Sequence, residues 1–71
     1  MGNPIYMHYD SHRYTIAGRS LEDVQRELDE KLAAPAPQWI EVNYGEGRPS
    51  KALLLIAPGV PISLHQDEPE P

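Results

Sequence analysis

The sequence predicts one capped helix, set between segments whose apolar and polar residues alternate like those of β-strands. Ser20 is the predicted N-cap of the helix. Asp23 is predicted to act as a shorter form of the capping-box acid and to reach back to Ser20. Four apolar residues recur at spacings of three, four and four, which lines one face of the helix. They are Leu21, Val24, Leu28 and Leu32. Pro35 and Pro37 end the helix, so its apolar stripe needs a partner, and no second helix is predicted to supply one.

A β-hairpin is predicted over residues 5–17, before the helix. Apolar and polar side chains alternate over 5–9 with a period of two. Asp10 and Ser11 are the predicted turn, because their short side-chain oxygens can bond the backbone two residues further on. Gly18 then releases the second strand toward the helix.

Three further strands are predicted after the helix. Residues 39–44 alternate cleanly, and residues 52–57 are apolar on both faces, which is typical of a central strand rather than an edge. Residues 60–64 form the last predicted strand, where Pro61 removes a backbone donor and favours either a sheet edge or pairing only past Pro61. The predicted fold class is α+β, with a single helix packed on a mostly antiparallel four- to five-stranded sheet in the order β-β-α-β-β-β.

Composition excludes several classes of protein. The 71 residues include no cysteine, so neither a disulfide framework nor a thiolate metal site is possible. We predict one domain over 1–65 and a disordered, acidic, proline-rich tail over 66–71. No apolar run is long enough to span a membrane and no secretory signal is present, which favours a cytoplasmic protein without a membrane partner. The formal charge of −5 argues mildly against nucleic acid as a partner.

Neither a metal centre nor a catalytic site is predicted. His8 and His12 flank the hairpin turn and can meet across it, but zinc needs three or four ligands, and His65 or a carboxylate would have to join. Their spacing matches no metal motif, so we expect no metal and no cofactor. Asp10, Ser11 and His12 spell a triad in sequence, yet neighbours on a strand point to opposite faces, and triads assemble from separated segments. We therefore expect a protein that is not an enzyme.

The aromatic side chains indicate a contact surface. All of them lie on predicted strands: Tyr6, Tyr9, Tyr14, Trp39 and Tyr44. Such rings suit a half-exposed sheet surface, but a thin core also needs large side chains, and both interpretations stay open. The predicted binding residues lie on or near the sheet face away from the helix. They are Tyr6, His8, Arg13, Trp39, Glu41 and Arg48.

Several short motifs are spread over residues 5–64. They are Tyr9-Asp-Ser-His-Arg-Tyr-Thr-Ile16, Arg19-Ser-Leu21, Gln25, Lys31-Leu32 and Pro58-Gly59-x-Pro61-Ile62. This combination resembles a family of small uncharacterised actinobacterial proteins of about this length, and implies a strand pair, a helix opening after Arg-[Ser/Thr]-Leu and a final proline-containing strand. Some members carry a DNA-ligase label, but a ligase needs a Lys-x-Asp-Gly-type site, which follows neither Lys31 nor Lys51. The resemblance implies no activity for this chain.

The sequence therefore predicts a small protein-interaction or regulatory domain of bacterial or phage origin. A core this thin is often completed by a partner, and we expect homo-oligomers formed through an exposed strand edge or the outer sheet face. The segment 52–57 and the strand aromatics motivate this expectation. The alternative is a nucleic-acid-associated accessory protein that uses Arg13, Arg48 and Lys51, and its binding would weaken steeply with salt.

Overall fold

The computed structural model describes residues 3–45 and 50–67 of the chain. Five strands and one helix follow one another in the predicted order, which confirms the α+β class. They are β1 (Ile5–Tyr9), β2 (His12–Ile16), α1 (Leu21–Ala33), β3 (Gln38–Tyr44), β4 (Ser50–Ile56) and β5 (Ile62–Gln66). Within the described residues, no helix has both the length and the apolar character needed to cross a membrane.

The strands form one antiparallel sheet in the spatial order β4-β3-β2-β1-β5. Strand pairing is shortest at the centre of the sheet, where β2 and β3 share a single register pair, Thr15 with Asn43. By contrast β3 and β4 pair along their whole length, from Gln38 opposite Ile56 to Tyr44 opposite Ser50. The outer strands are β4 and β5, and β5 begins directly after Pro61, which confirms the edge position predicted from that proline.

The prediction of a central strand at 52–57 is wrong. Only β3 pairs with β4 among the described residues, so β4 is an edge strand. Ile56 on its helix side is buried, whereas Leu53 and Leu55 on the opposite side are 59% and 40% exposed. The doubly apolar pattern thus arises from one face in the core and a second face that the described chain leaves uncovered.

The turn between β1 and β2 has the predicted residues in a left-handed backbone. Asp10 has φ 51° and Ser11 has φ 66°. Positive φ at both central positions is what a two-residue type I′ hairpin turn requires, because its twist matches that of the flanking strands. The ring nitrogen Nδ1 of His12 lies 2.9 Å from the Asp10 carbonyl oxygen and adds a local contact.

Ser20 caps α1 as predicted, since its Oγ accepts a hydrogen bond from the Asp23 backbone N–H at 3.1 Å. The reciprocal bond predicted for Asp23 is replaced by another: its carboxylate accepts from Nε of Arg19 at 3.1 Å. The apolar stripe is also shorter than predicted. Val24 and Leu28 are buried, but Leu32 is 38% exposed.

The core lies between α1 and one face of the sheet. Its buried side chains come from alternate positions on the strands and from the middle of the helix, which confirms the alternation predicted for β1 and β3. They are Ile5, Met7, Tyr9, Ile16, Val24, Leu28, Ile40, Val42 and Ile56. No polar or charged side chain is buried in the described ranges. The opposite face of the sheet is referred to below as the outer face.

Residue 66, where the tail was predicted to begin, belongs to the sheet. Gln66 is the last residue of β5 and pairs with Ile5, and its Nε2 donates to the Asn3 carbonyl oxygen at 2.7 Å. Asn3 in turn donates from Nδ2 to the Asp67 carbonyl oxygen at 2.9 Å. Residues 68–71 of the predicted tail, and 46–49 of the predicted loop, lie outside the described residues.

Substitution of Ser20 by alanine is expected to lower the free energy of unfolding by about 1 kcal/mol, because the Asp23 N–H loses its acceptor. Urea unfolding followed by circular dichroism measures the change. Ser63→Ala on the exposed side of β5 is the control, and we expect it to change stability by less than about 0.5 kcal/mol. Equal effects of the two substitutions would contradict the assigned cap.

Candidate functional site

The outer face gathers the predicted binding residues from two parts of the sheet. On β1 and β2 the outward side chains are Tyr6, His8 and Arg13, with His8 directly opposite Arg13. On β3 they are Trp39 and Glu41, which alternate with buried residues. Five of the six predicted site residues therefore share one face. The sixth, Arg48, lies outside the described residues.

Thr15 and Asn43, the one register pair between β2 and β3, lie between the two parts. On one side, Tyr6, Arg13 and His65 form a cluster of their own. The Arg13 guanidinium carbon lies 5.3 Å from the centre of the Tyr6 ring, and the His65 ring stacks on Tyr6 with 6.3 Å between ring centroids. Nε2 of His65 also lies 2.8 Å from Oδ1 of Asp67. These side chains satisfy one another through ring contacts and polar contacts.

On the other side, the β3–β4 hairpin carries an apolar surface, the hairpin patch, made of Trp39, Leu53 and Leu55. Trp39 is directly opposite Leu55 in the β3–β4 register, and Leu53 lies two positions away on the same face. Trp39 is 57% exposed, and the two leucines are the 59% and 40% exposed residues described above. Contiguous exposed apolar side chains of this size mark contact surfaces more often than isolated ones do.

A single ion pair borders the hairpin patch. Nζ of Lys51 lies 3.6 Å from Oε1 of Glu41, and both side chains are largely exposed. Exposed pairs contribute little to stability. The pair matters for charge, because β3 and β4 carry no other charged residue. The two strands together are therefore neutral, although the chain is acidic.

One buried side chain fixes β4 in place. The hydroxyl of Tyr9 donates to the Leu55 carbonyl oxygen at 2.5 Å. Tyr9 lies on β1, which β2 and β3 separate from β4 in the sheet, so this bond requires the sheet to curl around the core. The bond holds the backbone of the strand that presents the hairpin patch. Sequence reasoning gave no acceptor for Tyr9, because no local pattern encodes a contact across four strands.

The other basic residues near the helix are engaged by helix acids. Arg19 contacts Asp23 at 3.1 Å and Glu27 at 2.5 Å, and Lys31 contacts Glu27 at 3.5 Å. Hydrogen bonding to Glu27, followed by Asp23, raises the pKa of Arg19 against the opposing effect of burial. Each of these cations is paired with a helix carboxylate, so they are not presented as a basic patch.

The histidines do not converge as the metal hypothesis required. His8 lies on the outer face opposite Arg13, whereas His12 pairs with Tyr9 and so points to the other face. His65 stacks on Tyr6. Among the described residues, no group of three or more histidine or acidic side chains is close enough to hold a metal ion.

Some aromatic residues lie in the core and others on the surface, so the core interpretation and the contact-surface interpretation each hold for some of them. Tyr9 is buried, Tyr6 and Tyr14 are half-buried, and Trp39 and Tyr44 are exposed. Sequence reasoning missed Leu53 and Leu55 as surface residues. Their signal was present in the doubly apolar run, which fits a strand with a bare outer face as well as a fully covered one.

Comparisons of the chain with protein-family models, curated proteins and solved structures gave no match. The resemblance to small actinobacterial proteins therefore stays a prediction.

Removing the Tyr9 hydroxyl by Tyr9→Phe is expected to lower the free energy of unfolding by about 1 kcal/mol, because the Leu55 carbonyl loses its donor. Thermal or urea unfolding measures the loss. The matched control is Tyr44→Phe, which removes the same atom from an exposed ring and should change stability by less than about 0.5 kcal/mol. A loss no larger than that of the control would show that the hydroxyl does not secure β4.

Proposed function

We propose that this chain is a protein-binding domain that acts without catalysis and uses the hairpin patch as its contact surface. The observation that carries the proposal is the position of Trp39, Leu53 and Leu55 on the outer face of an edge hairpin, where the described chain leaves them exposed. The absence of cysteine supports a cytoplasmic setting.

The composition of the patch suits protein recognition. Tryptophan is enriched among the residues that dominate binding energy, because one rigid ring buries a large area. The adjacent leucines extend the apolar surface, and the Glu41–Lys51 pair gives it a polar rim. This arrangement of an apolar centre and a polar rim is that of protein interfaces in general.

The alternative, a nucleic-acid accessory protein, has less support. Of its proposed cations, Arg13 lies over the Tyr6 ring and Lys51 is paired with Glu41. Arg48 lies outside the described residues. A formal charge of −5 also opposes accumulation on a phosphate backbone. A base could stack on the Tyr6 ring only by displacing Arg13 or His65, which already contact it.

Replacing Leu53 and Leu55 together by serine is expected to abolish partner binding, because truncating two central apolar contacts costs about 2 kcal/mol or more, at least ~30-fold in affinity. The immobilised chain is incubated with soluble chain and with host extract, and retained proteins are quantified by mass spectrometry. Leu32→Ser is the matched control, since it removes an exposed leucine from α1 instead of the hairpin.

Partners retained by the wild type and by Leu32→Ser, and lost from the double variant, would support the proposal. Equal retention by all three proteins would overturn it. A parallel titration with single-stranded oligonucleotides at low salt tests the alternative, which requires binding that weakens as salt rises. Circular dichroism verifies that each variant is folded.

A further inference from the structure

We infer that the partner of the hairpin patch is a second copy of this chain, joined by antiparallel pairing of the two β4 strands about a two-fold axis at Leu54. This inference rests on the proposed function and names its partner. It would join two five-stranded sheets into one continuous sheet.

β4 presents an open edge among the described residues. Its seven residues pair with β3 without interruption, so no bulge twists the strand away from an incoming neighbour. It contains no proline, and its one charged residue, Lys51, lies near its beginning. Edge strands that avoid pairing normally carry a bulge, a proline or a charged residue near their middle. The outer groups of β4 are therefore fit to accept another strand.

The opposite edge of the sheet differs in these respects. β5 has five residues and follows Pro61 directly. Its last residue, Gln66, is tied to Asn3, which also bonds the backbone of Asp67. Of the two edges, β4 is the longer and the less protected, which selects it as the pairing edge.

The apolar residues of β4 favour one register for two-fold pairing. A two-fold interface requires that when one residue contacts another, the second contacts the first in return. Pairing centred on any residue of a strand meets this condition, so the register is chosen by which side chains it brings together. Centring on Leu54 places Leu53 of one copy opposite Leu55 of the other, and Ala52 opposite Ile56. Every pair at the centre of this register is apolar.

Neighbouring registers are less favourable. A two-fold axis perpendicular to the sheet keeps the outer faces of both copies on the same side. The axis must then pass through a residue position, so the alternatives to Leu54 are its neighbours Leu53 and Leu55. Centring on Leu53 puts Lys51 opposite Leu55. Centring on Leu55 puts Ala52 opposite Pro58, which has no backbone N–H to donate. In the Leu54 register Lys51 lies opposite Ala57 and Ser50 lies opposite Pro58, so both residues are moved to the ends of the paired segment.

The outer faces of the two copies match in this register, both in their apolar side chains and in their charge. In the Leu54 register, the leucines of both hairpin patches form one strip, with a Trp39 ring at each of two opposite corners. The strands that approach are neutral, because Glu41 compensates Lys51 within each copy. The acidic charge of the chain therefore does not oppose contact at this edge. The Leu55 carbonyl, which Tyr9 contacts, has a second lone pair for a further bond.

Leu53→Lys is expected to raise the dissociation constant of the dimer at least ~30-fold, because it places a charge in the middle of the leucine strip. Sedimentation velocity over a concentration series measures association, with Leu32→Ser as the control that remains dimeric. The single tryptophan gives a second readout: emission from Trp39 should shift to the blue as the wild type associates. A wild type that stays monomeric into the millimolar range would overturn the inference.

Cysteine pairing tests the register, since the chain has no cysteine of its own. A mixture of Leu53→Cys and Leu55→Cys proteins should form an intermolecular disulfide under mild oxidation, and neither protein alone should do so. Cross-linking of Leu53→Cys with itself, or a dimer without any cross-link, would overturn the Leu54 register. A monomeric wild type whose other partners still depend on Leu53 and Leu55 would remove this inference and leave the proposed function standing.

Discussion

A single helix covers only one face of this five-stranded sheet, and that constraint shapes the rest of the molecule. The stripe through Val24 and Leu28 is enough to bury the inner side chains of the strands. Nothing among the described residues covers the outer face, so its side chains either satisfy one another or remain exposed. The outer-face residues of β1 and β2 differ in chemistry from those of β3 and β4, and the Thr15–Asn43 pair lies between them.

The two parts deal with exposure in different ways. Around Tyr6, ring stacking and a cation–π contact engage the polar groups, and this part has no large apolar surface. On the β3–β4 hairpin, Trp39 and its leucine neighbours lie bare beside an open strand edge. Burial of apolar surface is the largest favourable term in association, so the hairpin is where binding gains most. Function is therefore proposed there and not at the Tyr6 cluster.

Local chemistry made much of this fold predictable. The Ser20 cap, the turn at Asp10 and Ser11 and the alternation along β1 and β3 depend on neighbours in sequence, and each was confirmed. The position of β4 was not predictable in this way, because an apolar run on both faces describes side chains and does not specify how many strands lie beside it. The bond from Tyr9 to Leu55 depends on the curl of the whole sheet, which local patterns do not encode.

Amide hydrogen exchange of β4 as a function of protein concentration reports on the open edge itself. If a second copy pairs with β4, amides among Leu53, Leu54 and Leu55 should exchange more slowly as concentration rises from micromolar to millimolar, while those of β5 stay unchanged. Protection in β4 that is the same at every concentration would contradict the account.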